Sequence, residues 1–445
     1  MNASRLFREF FESEKAGGLL LLLVTLISLT LANSSIQTDY IGFWEIEIGH
    51  HSITHWINDG LMTIFFLLIG LELERELYGG ELSNIKNASL PIFGALGGML
   101  IPTGIFLTFN FGTLTQNGAG IPMATDIAFA IGILSLLGNR VPTSLKIFLT
   151  ALAVIDDLGA ILVIAIFYTE SLSFLYIGGA LGIMGILFIL NRKNVHSLIP
   201  YLIGGGLMWY CMLNSGVHAT ITGILLAFVI PYGDGGKITS SYRLQHILHR
   251  PVAFFILPLF AIANTCIAIG TNCHEGLAHD NSIGIMAGLI LGKPIGITLF
   301  ALLCVKLGIG SLPKDLQWKH ILGAGMLGGI GFTMSIFITL LAFKNDGEAV
   351  ITYSKIAILV ASFVSGTLGF LWLKMSLKNK KGRYLQRPLY LFTVSLSLNL
   401  FQRRFNSFNQ RRAETVQFHF VQTGNGTTLR RCYSINQLFR MGFFF

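Results

Sequence analysis

Long apolar runs separated by short polar segments recur along the chain up to about residue 377. A run of about 18 or more apolar residues is long enough to cross a hydrocarbon core roughly 30 Å thick. Twelve candidates are present, of which the seventh is short: 16–33, 58–78, 90–111, 121–138, 142–169, 173–190, 199–213, 215–232, 251–270, 282–307, 320–343 and 351–377. The pattern predicts an all-α integral membrane protein with twelve transmembrane helices.

Lysine and arginine occur mainly in every second loop, as expected for twelve spans. They precede the first span and follow every second span, as Arg5, Arg8, Lys15, Arg75, Lys86, Arg140, Lys146, Arg192, Lys193, Lys237, Arg243, Arg250, Lys306, Lys314 and Lys319. The alternate loops carry none except Lys344 and Lys355 before the last span. Under the positive-inside rule, this places both termini in the cytoplasm with an even number of spans. No small-residue cleavage site follows the first apolar run, so we expect no signal peptide.

Composition changes abruptly after Leu377. The chain is 53% hydrophobic and 12% charged, with a net charge of +9. Residues 378–445 hold twelve Lys and Arg and a single acid, Glu414, so this segment carries +11 and the remainder −2. We therefore divide the chain into a twelve-span body, 1–377, and a basic cytoplasmic tail, 378–445, expected to be poorly ordered. Attraction of the tail to anionic lipid and an aberrant C-terminus are the alternatives; a nucleic-acid partner is not expected.

Charged residues inside the apolar runs include Asp126 in span 4, Asp156 and Asp157 in span 5, and Lys293 in span 10. Glu72, Glu74, Arg75 and Glu76 lie at the cytoplasmic end of span 2, and Asp59 lies near its outer end. A carboxylate at mid-bilayer depth costs roughly 2.5 to 3.5 kcal/mol on insertion scales. Such groups usually face a bundle interior or a wet cavity, and they pair with one another. Three acids and one lysine at similar depth therefore predict one buried cluster.

The adjacent pair Asp156 and Asp157 has a particular chemistry. Neighbouring residues on a helix point about 100° apart, so one aspartate can pair with Lys293 while the other faces a cavity. Carboxylate oxygens bind both protons and hard cations. Binding both at full occupancy is unfavourable, and this mutual exclusion is the chemistry of an exchanger. A structural ion pair is the alternative, although one lysine cannot neutralise two aspartates. Lys293 has two alternative roles: it is a purely structural partner of an aspartate, or it takes part in proton transfer.

Spans 4 and 11 carry interruptions that predict broken helices. Span 4 begins "GAGIPMATDIAFAIG", where Pro122, Thr125 and Asp126 interrupt the apolar pattern, and span 11, "GAGMLGGIGFTMSIFITL", has a cluster of glycines. Breaks inside a membrane are tolerated only around a cavity. Spans 3–5 and 10–12 then form two inverted three-helix repeats in which helices 4 and 11 cross. Asp126 suits the positive ends of the half-helices, and Lys293 suits the negative ends. Close packing of glycine-rich helices is the alternative; it explains span 4 poorly.

The segments "MATDIAFAIGILSLLGNRVPTSLKIFLTALAVIDDLGAILVIAIFYT", "SGVHATITG", "LGKPIGI" and "GIGFTMSIF" resemble the NhaA-type sodium/proton antiporters over about residues 5–377. The resemblance implies a secondary transporter of the bacterial inner membrane that exports Na⁺ or Li⁺ in exchange for H⁺, without a cofactor and without enzymatic activity. It makes Asp157 the principal ligand of the cation and the proton, with Asp156 as its partner and able to pair with Lys293. It also implies electrogenic exchange by alternating access.

The same resemblance implies control by pH through charged residues of a cytoplasmic funnel. The matching positions are Glu72, Arg75, Glu76, Arg243 and His249. His218 in "SGVHAT" matches a histidine tied to the pH response, with a satisfied intramembrane histidine as an equal alternative. Gln245 stands where the family pattern has a glutamate, and glutamine cannot titrate.

The loop between spans 1 and 2, residues 38–57, is predicted to contain a periplasmic β-hairpin. Its segment 43–56, "FWEIEIGHHSITHW", alternates apolar and polar residues around Gly49. Two short strands are marginal alone, so pairing with the same hairpin of a second chain would complete a sheet, as in the family's homodimer. An ordinary surface hairpin is the alternative.

Two other function classes were weighed. Intramembrane aspartyl proteases place their two aspartates on separate helices, whereas here they are adjacent in "VIDDLGA". A cation channel would need a conduit lined by rings of carbonyls or charges, and the sequence shows no filter-like repeat. Saturable exchange with opposite proton movement distinguishes an antiporter from a channel.

Overall fold

The apolar runs form α-helices, because in a bilayer each backbone N–H and C=O group must be satisfied within its own segment. The computed structural model describes residues 3–169, 172–233, 239–270, 273–344, 346–377, 422–423 and 426–427. The helices are α1 (Ala3–Ala32), α2 (Gln37–Glu45), α3 (Ile53–His55), α4 (Met62–Gly79), α5 (Ile85–Asn110), α6 (Ile127–Leu136), α7 (Thr143–Phe167), α8 (Phe174–Arg192), α9 (Ile199–Leu213), α10 (Ile221–Ala227), α11 (Ser240–Pro251), α12 (Leu257–Asn264), α13 (Cys273–Ala278), α14 (Asp280–Ala287), α15 (Lys293–Lys306), α16 (Trp318–Gly328), α17 (Phe332–Ala342) and α18 (Glu348–Ser376).

Three long helical stretches contain a π-helical turn, and three short 3₁₀ segments connect other helices. The π turns Trp56–Leu61, Val252–Ile256 and Gly288–Gly292 join α3 to α4, α11 to α12 and α14 to α15. The 3₁₀ segments are Glu81–Ser83, Leu114–Met123 and Gly138–Arg140. In the last π turn, the N–H of Lys293 donates to the carbonyl of Gly288, five residues earlier. Such widened turns occur often at functional sites, and this one sets the position of the buried lysine.

Seven helical stretches of the described residues are long and apolar enough to cross a membrane, and ten if each of three bent pairs counts as one span. The chain is therefore a mostly helical, multi-pass membrane protein. The remaining predicted spans are short: α9 has 15 residues and α10 has 7. Within predicted span 8, 215–232, the helix begins only at Ile221, because Gly216 adopts φ +83° in the polar segment that precedes it.

Both predicted breaks are confirmed. The 3₁₀ segment Leu114–Met123 meets α6 at 41°, and α16 meets α17 at 47°. The backbone at the two breaks is in direct contact, since the N–H of Asp126 donates to the carbonyl of Ile330 at 2.6 Å. A second bond runs from the Ser335 hydroxyl to the carbonyl of Ile121 at 2.8 Å. Each break thus satisfies backbone groups that the other exposes.

Helices α5 and α15 approach closely through glycines. A Cβ atom on Gly97 would collide with the carbonyl oxygen of Gly296, and one on Gly296 would collide with Gly97. One turn further, a Cβ on Gly292 would lie 2.8 Å from the Cα of Pro102. Small residues let membrane helices pack backbone to backbone, and here they bring α15, which carries Lys293, against α5.

The loop between α1 and α4 contains a smaller hairpin than the sequence pattern suggests. Its strands, β1 (Glu47–Ile48) and β2 (His51–Ser52), pair antiparallel around Gly49, which has φ +73°. The prediction of strand for the rest of 43–56 is wrong, because residues up to Glu45 belong to α2 and Ile53 starts α3. Alternation in so short a segment does not outweigh helix formation.

Residue contacts divide the chain into two units, Met1–Lys378 and Asn379–Phe445. The predicted tail, 378–445, lies outside the described residues except for two short strands. These are β3 (Gln422–Thr423) and β4 (Gly426–Thr427), which pair antiparallel.

Candidate functional site

The two adjacent aspartates lie near the middle of α7, in an uninterrupted helix. Asp156 and Asp157 are both fully buried, as is Lys293 at the start of α15. Thr125 and Asp126 come from the break before α6 and are also buried. The predicted cluster of three acids and one lysine is thus assembled from α7, α15 and the first break.

Asp156 is held by two partners. Its Oδ2 atom forms a salt bridge with Lys293 Nζ and accepts a hydrogen bond from Thr125 Oγ1 at 2.6 Å. Lys293 Nζ also donates to Thr125 Oγ1 at 2.9 Å. The same hydroxyl lies 2.8 Å from the carbonyl oxygen of Gly328, at the C-terminal end of α16. Having one proton, Thr125 donates to only one of these two oxygens at a time.

Asp157 has a different environment, although it is the next residue. Among the described residues, neither of its carboxylate oxygens has a hydrogen-bond partner, and Asp156 Oδ1 also has none. Buried polar groups almost always have a partner, so three unpartnered carboxylate oxygens on adjacent residues call for one that the chain does not supply. A proton or a cation with a preference for oxygen ligands meets that need.

Both carboxylate oxygens of Asp126 accept hydrogen bonds from the half-helices. Its Oδ1 caps α6 by accepting from the N–H of Phe129 at 3.0 Å. Its Oδ2 accepts from the N–H and the hydroxyl of Thr333, at 3.1 and 2.5 Å, at the start of α17. One carboxylate therefore lies at the N-termini of both α6 and α17, where partial positive charge favours it.

Lys293 approaches the negative end of a half-helix through one intervening side chain. Thr125 connects it to Gly328, whose carbonyl belongs to the negative C-terminal end of α16. The lysine thus approaches that end through Thr125 and pairs with Asp156 directly.

The residues implicated in pH control fall into two separate places. Glu72 lies 3.9 Å from His249, measured from Oε1 to Nδ1, beside a cavity of about 50 Å³. Arg75 pairs with Glu76 at 3.2 Å, while Arg243 is exposed on α11. These five residues therefore share one end of α4 and the neighbouring α11.

His218 lies elsewhere, in a larger cavity of about 510 Å³ that we call the Asp59 pocket. Its lining includes His55, Asp59, Tyr168, His218, Phe337 and Lys344. Asp59 and Glu72 are thirteen residues apart on one continuous helical stretch, which corresponds to about 20 Å along the helix axis. The structure therefore separates His218 from the other predicted pH-control residues.

Two contributors were missed at the sequence level. Thr333 supplies two of the hydrogen bonds to Asp126, and its place directly after the glycines of span 11 was the available signal. Asp59 was noted only as an acid near the end of span 2; the histidine four residues before it, His55, indicates a pair on one helix face.

The comparisons with known proteins agree with one another. The family model described as "Na+/H+ antiporter 1" matches residues 8–373. "Na(+)/H(+) antiporter NhaA 1" of Flavobacterium johnsoniae is 69% identical over 86% of this chain and 100% of its own length. "Na(+)/H(+) antiporter NhaA" of Flavobacterium psychrophilum is 64% identical over 85% and 98%. The solved sodium proton antiporter MjNhaP1 of Methanocaldococcus jannaschii is 16% identical, with a TM-score of 0.46 over 84% of this chain and 97% of that one.

Proposed function

The chain belongs to the Na⁺/H⁺ antiporter 1 family and is a secondary transporter that exchanges Na⁺ for H⁺, not an enzyme, and from this premise we propose that Na⁺ and H⁺ occupy Asp157 in turn. Asp156 is its partner, and together they are the ligands of Na⁺ or Li⁺. The observation that carries the proposal is the absence, within the described residues, of any partner for both oxygens of buried Asp157.

Competition between the two ions follows from the charge balance of the site. Lys293 neutralises Asp156, and the Asp126 carboxylate accepts three hydrogen bonds, from the N–H of Phe129 and from the N–H and hydroxyl of Thr333. One negative charge is left, on Asp157. In a buried site, an unneutralised charge is costly, and so is one excess positive charge. A single Na⁺ or a single proton satisfies the site, whereas both together do not.

We infer that the exchange is electrogenic. Na⁺ replaces one proton at Asp157, and the site also contains Asp156 and Lys293, so a second proton can leave from this pair for each Na⁺ that enters. Whether Lys293 releases a proton or only clamps Asp156 decides where the second proton comes from. Unequal charge movement makes the membrane potential a driving force of about 2.3 kcal/mol per charge per 100 mV.

Alternating access would move one helix group against the other around the two breaks. The proposal is that the α5–α7 region and the α14–α18 region are inverted repeats, each with a broken helix at its centre, as spans 3–5 and 10–12. It is supported by the hydrogen bonds between the breaks and by the single carboxylate, Asp126, that serves both. Such contacts can exchange partners without leaving backbone groups unsatisfied.

The full topology is proposed as twelve spans in the bacterial inner membrane, with both termini in the cytoplasm. Helices α9 and α10 would supply the short seventh and eighth spans. The alternation of lysine and arginine between loops supports this arrangement. It makes the end of α4 near Glu72 cytoplasmic and the Asp59 pocket periplasmic. We refer to these as the inner and outer ends below.

Control by pH is proposed for the inner end. Glu72 and His249 face each other across the cavity between α4 and α11, and Arg75, Glu76 and Arg243 lie around them. Protonation changes within this group would alter the approach of Na⁺ to the site. His218 would act at the outer end.

Two partners complete the proposal. The hairpin of β1 and β2 leaves Ile46 and Ile48 about half exposed, which favours pairing with a second copy of the chain in a homodimer. The basic tail, 378–445, is proposed to contact anionic lipid through its net charge of +11.

The test uses inverted membrane vesicles from cells that lack their own antiporters. With an acid interior set by respiration, Na⁺, Li⁺ or K⁺ is added and a dye reports the pH gradient. We expect Na⁺ and Li⁺, but not K⁺, to dissipate the gradient, and we expect Asp157→Asn to abolish the response. Robust Na⁺-dependent proton release by Asp157→Asn would refute the assignment. Sodium flux without proton movement would indicate a channel.

Truncation after Leu377 is the matched control for the tail. Since the family model matches 8–373, we expect the truncated chain to exchange Na⁺ for H⁺ like the full chain. If only the truncated chain is active, the tail inhibits an intact site.

A further inference from the structure

The Asp59 pocket is a second polar site, and the proposed mechanism makes no use of its acid. Among the described residues that line the pocket, Asp59 is the one carboxylate. The volume of about 510 Å³ is many times the roughly 30 Å³ of one water molecule. A cation can therefore enter this pocket with a shell of water, whereas Asp157 is almost completely buried.

Two imidazoles face the Asp59 carboxylate from different elements. His55 Nε2 is 3.4 Å from Oδ2, and His218 Nε2 is 3.8 Å from Oδ1. The backbone of Asp59 is fixed, because its carbonyl accepts from the Thr63 hydroxyl at 2.5 Å and from Trp209 Nε1 at 3.4 Å. The carboxylate is thus held in place at the wall of the cavity with room for a ligand at its oxygens.

The pocket is aligned with the exchange site along α7. Tyr168, which lines the pocket, is eleven residues after Asp157 and lies on the same helix face, about 16 Å further along the axis. Between them on that face are Ile161 and Ile164, both buried. The ring of Phe337 forms another part of the barrier, 5.7 Å from the His218 ring and 5.5 Å from that of Phe66. Apolar side chains therefore close this route in the present conformation.

We propose that Asp59 is an outer binding site for monovalent cations, at which Na⁺ leaving Asp157 is held in hydrated form before release. The inference rests on the proposed function, since only an exporter delivers Na⁺ to this end. Lys344 also lines the pocket, and its positive charge weakens cation binding, so the site releases Na⁺ readily.

Protons compete with the cation at this site through the imidazoles. The groups that can carry positive charge around Asp59 are His51 on β2, His55 on α3, His218 before α10 and Lys344 after α17. Histidine changes its charge between about pH 5 and 8. A protonated His55 or His218 pairs with Asp59 and takes the place of the cation. Binding of Na⁺ at the outer site is therefore weaker at acidic pH and stronger at alkaline pH.

Two tryptophans beside the pocket allow cation binding to be followed by fluorescence. Trp56 and Trp209 lie beside it, with ring centroids 6.2 Å apart, and Trp209 donates to the backbone of Asp59. The test is a NaCl titration of tryptophan fluorescence on the purified full chain carrying Asp157→Asn, which removes the exchange site. Choline chloride controls for ionic strength. We expect a saturable, Na⁺-specific change whose midpoint rises at least about tenfold when Asp59→Asn is added.

Three outcomes decide the inference. Asp39→Asn removes one acid from exposed helix α2, and in place of Asp59→Asn it should leave the midpoint unchanged. His55→Gln should reduce the dependence of the midpoint on pH; this second variant keeps the test valid if Asp59→Asn does not fold. An equal midpoint with and without Asp59→Asn overturns the inference. If the parent chain shows no Na⁺-dependent proton movement, the proposed function is refuted instead, and the fluorescence result is unaffected.

Discussion

At the scale of single residues, Asp156 and Asp157 differ through their partners, not through their chemistry. Asp156 has a lysine and a hydroxyl, whereas Asp157 has no hydrogen-bond partner among the described residues. Substitution by asparagine should therefore have opposite consequences at the two positions. Asp156→Asn loses the ion pair with Lys293, whereas Asp157→Asn loses a charge that no ion pair among the described residues balances.

We expect Asp156→Asn to lower the melting temperature of the purified protein by at least about 5 °C, because it leaves Lys293 buried and unpaired. Breaking a buried pair costs about 3 to 5 kcal/mol. The matched control is Asp157→Asn, which breaks no pair and should melt at or above the parent temperature. Proton coupling should also weaken in Asp156→Asn. Identical melting of Asp156→Asn and the parent would show that the pair contributes nothing to stability.

Gln245 lies within the group of residues proposed to control exchange by pH, at a position where the family resemblance implies a glutamate. It is buried on α11, and its side chain lies beside Glu72. In Gln245→Glu, two neighbouring carboxylates repel when both are ionised, so they lose their protons only at higher pH. We expect the pH profile of exchange to move toward alkaline pH by on the order of one unit. Gln37→Glu on α2 is the control for added charge. An unchanged profile would exclude position 245 from the sensor.

At the scale of helices, the breaks and the glycine contacts determine where the charged residues meet. Asp126 can serve both half-helices only because the two breaks touch, and Lys293 reaches α7 only because α15 lies directly against α5. Disturbing the α5–α15 contact should therefore affect the site from a distance.

We expect Gly97→Ala to destabilise the protein, since its methyl group has no space between Gly296 and Phe300. Overpacking typically costs about 1 to 3 kcal/mol, and the maximal exchange rate should fall as Lys293 is displaced. Gly185→Ala on α8 is the matched control, because a Cβ there meets nothing within 4 Å. Thermal melting and vesicle exchange measure both effects. Equal behaviour of the two variants would mean that the close approach is not required.

At the scale of the whole molecule, the hairpin is the feature that points to a second copy. Two strands of two residues each are too few for independent stability. If the chain forms the proposed homodimer through this hairpin, replacing Glu47–Ser52 by a Gly-Ser linker should convert it to monomers, measured by the mass of the detergent-solubilised protein. Exchange within each chain should persist, because the site is built from residues of one chain. A dimer that survives the replacement would place the interface elsewhere.

The sequence alone determined the membrane-spanning helical body, the two breaks and the identity of the buried charges. These are local properties, since hydrophobic length, helix-breaking residues and a charge in an apolar run are visible without knowing any neighbour. The local pattern left open which aspartate pairs with Lys293, and the family resemblance implied Asp156; the tertiary structure shows this pair between residues that lie 137 positions apart in sequence. It also placed His218 with Asp59 and far from Glu72, and it reduced the hairpin to four strand residues. Contacts between distant segments depend on packing, which a hydrophobic pattern does not encode residue by residue.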